Sequence, residues 1–120
     1  MTDFSNTKSI YLQIVEIVKK RIITDKYTEQ ERIPSVRELA VELQVNPNTC
    51  VRAFEVLSRD NIIINKRGVG YFVNSGAKLV ILEDKRKKFI VDELPRVVNN
   101  MKILNISLDD FMHIYNDSQF

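Results

Sequence analysis

Three side chains that can read nucleic-acid bases stand close together near the middle of the chain: Asn48, Thr49 and Arg52. Arginine can donate two hydrogen bonds to guanine O6 and N7, asparagine can pair with adenine, and a threonine hydroxyl can bond a base or a phosphate. Arg52 is the strongest candidate for direct base readout, and a solvated surface charge is the alternative for it. These residue types at this spacing predict recognition of double-stranded DNA.

Catalytic chemistry has few candidates in this sequence. It contains one histidine, His113, and one cysteine, Cys50, and it lacks a glycine-rich phosphate loop or a nucleophile motif. Asp109, Asp110 and Asp117 stand near His113, but without a second histidine or cysteine nearby a metal site is disfavoured. Cys50 belongs to an inner helical stripe, which favours a small buried residue over a redox sensor. We therefore predict no enzyme activity, no cofactor and no metal site.

The base-reading residues are predicted to lie on the second helix of a helix-turn-helix. Ser35 and Glu38 form a capping-box pattern that starts one helix, which runs to about Leu43. Asn46 can cap the next helix, whose first position is Pro47, where a missing N–H costs nothing. Because a helix-turn-helix presents the N-terminal residues of its second helix to the major groove, these elements would place the candidate side chains at base edges.

The surrounding elements complete a winged helix. Apolar residues recur at helical spacing from Ile10 to Ile23, with Ser9 at the cap position, and residues 24–33 are predicted to form a connecting loop. Residues 62–65 and 69–73 have the pattern of two strands on either side of a glycine turn. The order of three helices and a hairpin predicts a mainly helical fold with a small β-hairpin wing.

Two further regions offer contacts to DNA. Arg37 falls in the first turn of its helix, where the helix dipole and free N–H groups attract phosphate. Lys66 and Arg67 stand at the tip of the hairpin and could enter the minor groove or clamp the backbone, and Gly68 and Gly70 would permit close approach. A solvated hairpin tip is the alternative for the two wing cations.

The C-terminal part, residues 76–120, reads as a helical tail. Its apolar residues recur near heptad spacing, Pro95 should kink the long helix near Val91, and Ser107 is placed to cap a final helix. The basic run at residues 85–88 favours a solvated face, and a contact to DNA phosphates is the alternative. The tail carries more apolar surface than one helix can hide, so it either pairs with a second copy or packs on its own winged helix. The candidate dimerisation residues are Leu82, Phe89, Leu94, Val98, Met101, Phe111 and Tyr115.

Composition and charge set broad limits on the class of protein. A hydrophobic fraction of 44% and a charged fraction of 28% are ordinary for a globular protein, and the net charge of +2 is by itself weak evidence for a nucleic-acid partner. The sequence starts without a signal segment, and no stretch approaches the apolar length that spans a bilayer. We therefore expect a cytoplasmic protein with no membrane partner. The sequence identifies no small-molecule effector.

Four blocks of the sequence together resemble the DNA-binding domain of GntR-family bacterial transcription regulators: SIYLQIVEIVKKRI, IPSVRELAVELQVNPNT, RAFEVLSRDNII and KRGVGYFV. The short tail with ISLDDFMHIY is similar to the YtrA-type subgroup, whose members lack a larger effector-binding domain. Tyr71 stands where many family members carry threonine, and Pro47 stands where other subgroups carry an arginine, so that arginine's contact is not transferred.

The resemblance implies a domain division and a function. It implies a DNA-binding winged helix in residues 1–75, where Arg37 contacts DNA, and a helical dimerisation tail in residues 76–120. It further implies a regulator, expected to be a repressor, that acts as a homodimer on a palindromic operator. The alternative is a winged helix used as a protein-interaction module that does not bind DNA, and the retained Arg37, Asn48, Thr49 and Arg52 argue against it.

Overall fold

The computed structural model describes residues 9–118. Contacts within the chain divide it into two compact units, Met1–Glu83 and Asp84–Phe120. The described residues form helices and one antiparallel pair of strands. The predicted fold class, mainly helical with a β-hairpin wing and a helical tail, is confirmed. None of the helices within residues 9–118 is long and apolar enough to cross a membrane.

The first three helices of the first unit are α1 (Ile10–Ile23), α2 (Val36–Leu43) and α3 (Pro47–Arg59). The predicted capping box starts α2, because Ser35 Oγ accepts from the Glu38 N–H and the Glu38 carboxylate accepts from the Ser35 N–H. Asn46 caps α3 by accepting from the backbone of Asn48. Ser9 occupies the predicted cap position of α1, although its side chain makes no capping hydrogen bond.

The wing consists of β1 (Ile63–Lys66) and β2 (Gly70–Val73), paired antiparallel. The segment before α2 also pairs with β2, through a bridge between Arg32 and Phe72 and a hydrogen bond from the Ile33 N–H to the Tyr71 carbonyl at 2.9 Å. The predicted connecting loop therefore contributes a strand-like edge to the wing. Sequence periodicity missed this pairing because the segment is polar and too short to show a strand pattern.

The core of the first unit is made by one face of each helix together with the wing. Phe54 of α3 lies at its centre, and the inner stripe predicted for α3 is fully buried. The helix α4 (Ala77–Lys88) adds Ala77 and Ile81 to the same core. The compact unit thus continues to Glu83, beyond the boundary after residue 75 that the sequence predicts.

The second unit contains the end of α4, a π-helical turn (Phe89–Glu93), α5 (Leu94–Ile103) and α6 (Leu108–Asp117). The π-helical turn lies where Pro95 was expected to disturb the helix, and the Leu94 N–H bonds the Phe89 carbonyl five residues back. Because proline cannot donate and its ring crowds the carbonyl four residues earlier, the wider turn accommodates it. Ser107 and Asp110 form a second capping box, at the start of α6. No side chain of residues 84–118 is buried.

Candidate nucleic-acid interface

The solvent face of α3 carries the predicted base-reading residues. Cys50, Ala53 and Phe54 turn inward and are buried, whereas Asn48 and Arg52 are exposed on the opposite side. Thr49, between the two faces, is half-buried. This division follows from the 3.6-residue period of the helix, which places positions three and four apart on one side. The structure therefore brings the three predicted polar side chains to the N-terminal half of α3.

Arg52 has an aromatic partner that the sequence did not predict. Its guanidinium lies over the ring of Tyr11, which is half-buried on α1, at 4.1 Å from the ring centre. A cation held over the face of an aromatic ring spends no hydrogen-bond donor on that contact, so the N–H groups of Arg52 stay available to an acceptor. The contact places the Arg52 side chain on the α1 side of the exposed face. The sequence shows an aromatic residue in the first turn of α1, but only the packing of α1 on α3 brings that residue to Arg52.

Arg37 is exposed in the first turn of α2, as predicted, and the capping box engages two N–H groups at the same helix end, those of Ser35 and Glu38. The N–H of Ser35 and the Ser35 hydroxyl hold the Glu38 carboxylate and lower its pKa. A carboxylate at this end competes with a phosphate for the helix dipole. The positive charge of Arg37 would offset the repulsion between that carboxylate and a phosphate bound at this position.

The turn of the wing presents its predicted cations to solvent. Lys66 and Arg67 are exposed, and the Lys66 ammonium lies 4.3 Å from the centre of the Phe72 ring. The Val69 N–H closes the turn on the Lys66 carbonyl at 2.9 Å. Gly68 has a φ of +79°, a conformation that other residues adopt only with strain. The wing thus holds two cations on a defined turn.

A third cation, Arg32, lies against the wing and was missed by sequence reasoning. Its Nε donates to the Val69 carbonyl at 3.1 Å. Gly70 allows this approach, because a Cβ at that position would stand 2.7 Å from the Arg32 Nε and its φ of +140° already disfavours other residues. Arg32 follows directly on Glu31 in a polar segment, so nothing in the local sequence separates it from an ordinary surface charge.

Tyr71, the residue that stands where threonine is common, packs inward from the wing. It is half-buried and meets Phe54 edge to face, with 4.8 Å between ring centres. The side chain therefore fastens β2 to α3. This contact helps to hold the wing in place relative to α3.

Other reactive groups are engaged in the structure or shielded by it. Burial raises the pKa of the Cys50 thiol to about 11, so this side chain remains a protonated apolar residue.

Arg21 of α1 pairs with Glu42 of α2 and bonds the Tyr27 hydroxyl at 2.6 Å, which ties the first two helices together. His113 faces Asp109 at 3.8 Å. Within residues 9–118, no group of three or more His, Cys, Asp and Glu side chains is arranged to hold a metal ion.

The predicted dimerisation residues fall in two places. Leu82 lies on α4 in the first unit and is exposed. In the second unit, Leu94, Val98, Met101 and Phe111 line one apolar groove of about 300 Å³ between α5 and α6. Tyr115 lies beside Phe111 with 6.2 Å between ring centres, and Phe89 is exposed in the π-helical turn. The structure thus gathers four of the seven residues around a single groove.

A two-helix motif with an exposed polar recognition face, fastened to a hairpin that carries cations, defines a winged helix-turn-helix DNA-binding protein. Residues 10–73 match the family described as bacterial regulatory proteins, gntR family, and the chain belongs to this family of transcription regulators. The predicted resemblance is confirmed.

Relatives and solved structures agree with this assignment. The chain is 31% identical over 109 residues to the HTH-type transcriptional regulator YhcF of Bacillus subtilis, covering 91% of this chain and 88% of YhcF. It is 30% identical over 107 residues to the HTH-type transcriptional repressor YtrA of the same organism, covering 89% and 82%. A GntR-family regulator structure from Bacteroides thetaiotaomicron is 38% identical with a TM-score of 0.77, covering 91% and 95%. The similarity extends through the tail.

Proposed function

We propose that the chain is a cytoplasmic repressor that binds a palindromic operator as a homodimer. The observation that carries the proposal is the exposed row of Asn48 and Arg52 on α3, held beside a wing that presents Lys66 and Arg67. Base-reading groups in the major groove and cations on the backbone or minor groove are the two halves of specific operator recognition. Arg37, Thr49, Gly68 and Gly70 belong to the same proposed surface.

The dimer is proposed on the apolar surface of the tail. Residues 84–118 bury no side chain, yet Leu94, Val98, Met101 and Phe111 surround an apolar groove. A contiguous apolar surface on a small protein marks an interaction site, and a two-fold contact between identical chains is the commonest way to cover one. The proposed division of function is thus DNA binding by the winged helix and dimerisation through the tail. Leu82 of α4 is included among the proposed dimerisation residues.

The palindrome follows from the dimer. Two recognition helices related by a two-fold axis require inverted half-sites whose centres lie about one helical turn, or a multiple of it, apart. Repression is proposed because the similar protein YtrA of Bacillus subtilis carries the name of a repressor.

Selection of bound sequences from random DNA with the full chain tests the proposal, followed by mobility shifts on the selected site. The expected result is an inverted repeat bound by two chains per site. Selection of direct repeats, or of an isolated half-site bound at full affinity, would contradict a symmetric dimer. Binding without any sequence preference would favour the protein-interaction module instead. A promoter carrying the selected site should lose transcription when the chain is added.

A further inference from the structure

An exposed apolar side chain interrupts the polar face of the recognition helix. Val51 lies in the second turn of α3 and is 41% exposed. A β-branched residue there is less favourable in a helix than alanine, and the exposed part of its surface adds nothing to the core. Single exposed apolar residues are common, so the position of Val51 rather than its exposure gives it significance.

Val51 shares its row of the helix surface with a base-reading candidate. Asn48 and Val51 are three positions apart and Glu55 follows four positions later, so the three side chains form one row along the exposed face. Arg52, the next residue in sequence, is held by the Tyr11 ring on the α1 side. The row that starts at Asn48 therefore continues with the methyl groups of Val51 and not with a cation.

The major groove contains one apolar group that such a side chain can recognise, the 5-methyl group of thymine. We propose that Val51 is a specificity-determining residue that selects thymine in each half-site by packing on this methyl group. The inference rests on the proposed operator binding and adds a base identity to it. Asn48, one turn earlier, would read the neighbouring base.

The experiment removes the methyl group from the DNA and the side chain from the protein in turn. The full chain is titrated on its selected operator in which each thymine is replaced, one position at a time, by deoxyuridine. Loss of one buried methyl group predicts a decrease in affinity of about fourfold per half-site at the position that Val51 contacts. The Val51→Ala variant should bind thymine and deoxyuridine operators equally at that position, while keeping its preference at the others.

Two matched variants separate the contact from effects on folding. Val51→Thr keeps one γ-methyl group and should retain part of the discrimination. Val41→Ala changes a valine of α2 that is 79% exposed and should leave the deoxyuridine penalty unchanged. A wild-type chain indifferent to every deoxyuridine, a penalty that persists in Val51→Ala, or a selected half-site without thymine would each overturn the inference. The absence of any sequence preference would instead overturn the proposed function.

Discussion

Among residues 9–118, every buried side chain lies between Ile14 and Ile81, within the first unit, and residues 84–118 contribute none. Helices α1, α2 and α3 of the first unit and α5 and α6 of the second are nevertheless all amphipathic, and both units contain a capping box that starts a helix. In the first unit the apolar faces of α1, α2 and α3 cover one another around Phe54. In the second unit, the apolar side chains of α5 and α6 surround a groove that stays open to solvent.

Local helix signals do not distinguish an apolar face that a core covers from one that stays exposed. Caps and periodicity establish where a helix begins and which face is apolar, and both units satisfy these requirements equally well. Which surface covers that face is decided by tertiary or quaternary packing. The two units should therefore respond differently to the same kind of perturbation.

The largest effect is expected from removing the second unit. A chain that ends at Glu83 keeps the whole buried core, so it should be folded by circular dichroism. Because it lacks the apolar groove of the second unit, it should be monomeric by sedimentation. Its affinity for the full operator should fall by about 100-fold to 10,000-fold, because the gain from linking two binding modules is lost. A dimer that persists in this shortened chain would show that residues 84–120 do not make the contact.

A chain that ends at Ser75 is the matched comparison. It also lacks Ala77 and Ile81, both of which are buried in the core of the first unit. Loss of the Ile81 side chain should lower the free energy of unfolding by about 2 to 5 kcal/mol. Equal stability of the two shortened chains in urea would contradict the placement of α4 in that core.

The next effect compares one phenylalanine from each unit. Phe54→Ala removes a fully buried ring from the first unit and should lower its free energy of unfolding by about 3 to 5 kcal/mol. Phe111→Ala changes a half-buried ring of the tail and should weaken self-association instead. Urea denaturation of chains ending at Glu83 measures the first effect, and sedimentation of the full chain over a range of concentrations measures the second. The interpretation fails if the two variants behave alike.

DNA affinity provides a finer contrast. Arg52→Ala should weaken specific binding by about 1 to 3 kcal/mol and relax the preference at one base position in each half-site. Arg67→Ala should weaken binding to all sequences similarly and reduce the salt slope by about one unit. Met101→Ala in the tail should lower affinity through dimer dissociation and leave base preference intact. Selection experiments and salt titrations distinguish the three outcomes, and an equal loss of base preference in all three variants would contradict this division.

A smaller effect is expected at the aromatic partner of Arg52. Tyr11→Leu removes the ring on which the guanidinium lies and should weaken specific binding by about 0.5 to 1 kcal/mol. Tyr11→Phe keeps the ring and serves as the control. In an Arg52→Ala background the Tyr11→Leu change should have no further effect on base preference, which a double-mutant cycle measures.

The smallest effect is expected at acidic pH, where both capping boxes should contribute less to the stability of the fold. Hydrogen bonds from the Ser35 N–H and hydroxyl lower the pKa of Glu38, and the corresponding bonds from Ser107 lower the pKa of Asp110. A carboxyl with a lowered pKa in the folded state stabilises the fold above its ordinary pKa, and this contribution disappears as the pH falls through the folded value. Urea denaturation of the chain ending at Glu83 across acidic pH should show this loss for Glu38. Glu38→Gln should make the free energy of unfolding depend less on pH. An unchanged pH dependence in this variant would argue against the contribution of the Ser35–Glu38 capping box.

Much of this arrangement follows from local sequence because its signals are local. Ser35 with Glu38, and Asn46 with Pro47, predict the starts of α2 and α3, and the positions of Asn48 and Arg52 follow from those starts. The missed features all depend on contacts between distant segments. Tyr11 meets Arg52 across two helices, and Arg32 meets the wing over a separation of 37 residues. The local sequence around each residue does not predict which distant residue it contacts.

The pairing of residues 30–33 with β2 also has a consequence for the order of folding. The Gln30 N–H bonds the Val73 carbonyl at 2.8 Å, and the Val73 N–H bonds the Glu31 carbonyl at 3.0 Å. Closing these bonds encloses α2, α3 and β1 in one loop, and the entropy of that closure must be overcome before the bonds can compensate for it. Helical turns with caps of their own need no such closure. The recognition helix should therefore acquire its backbone early, while the edge that supports Gly70 and Arg32 forms late and is the last part of the wing to take shape.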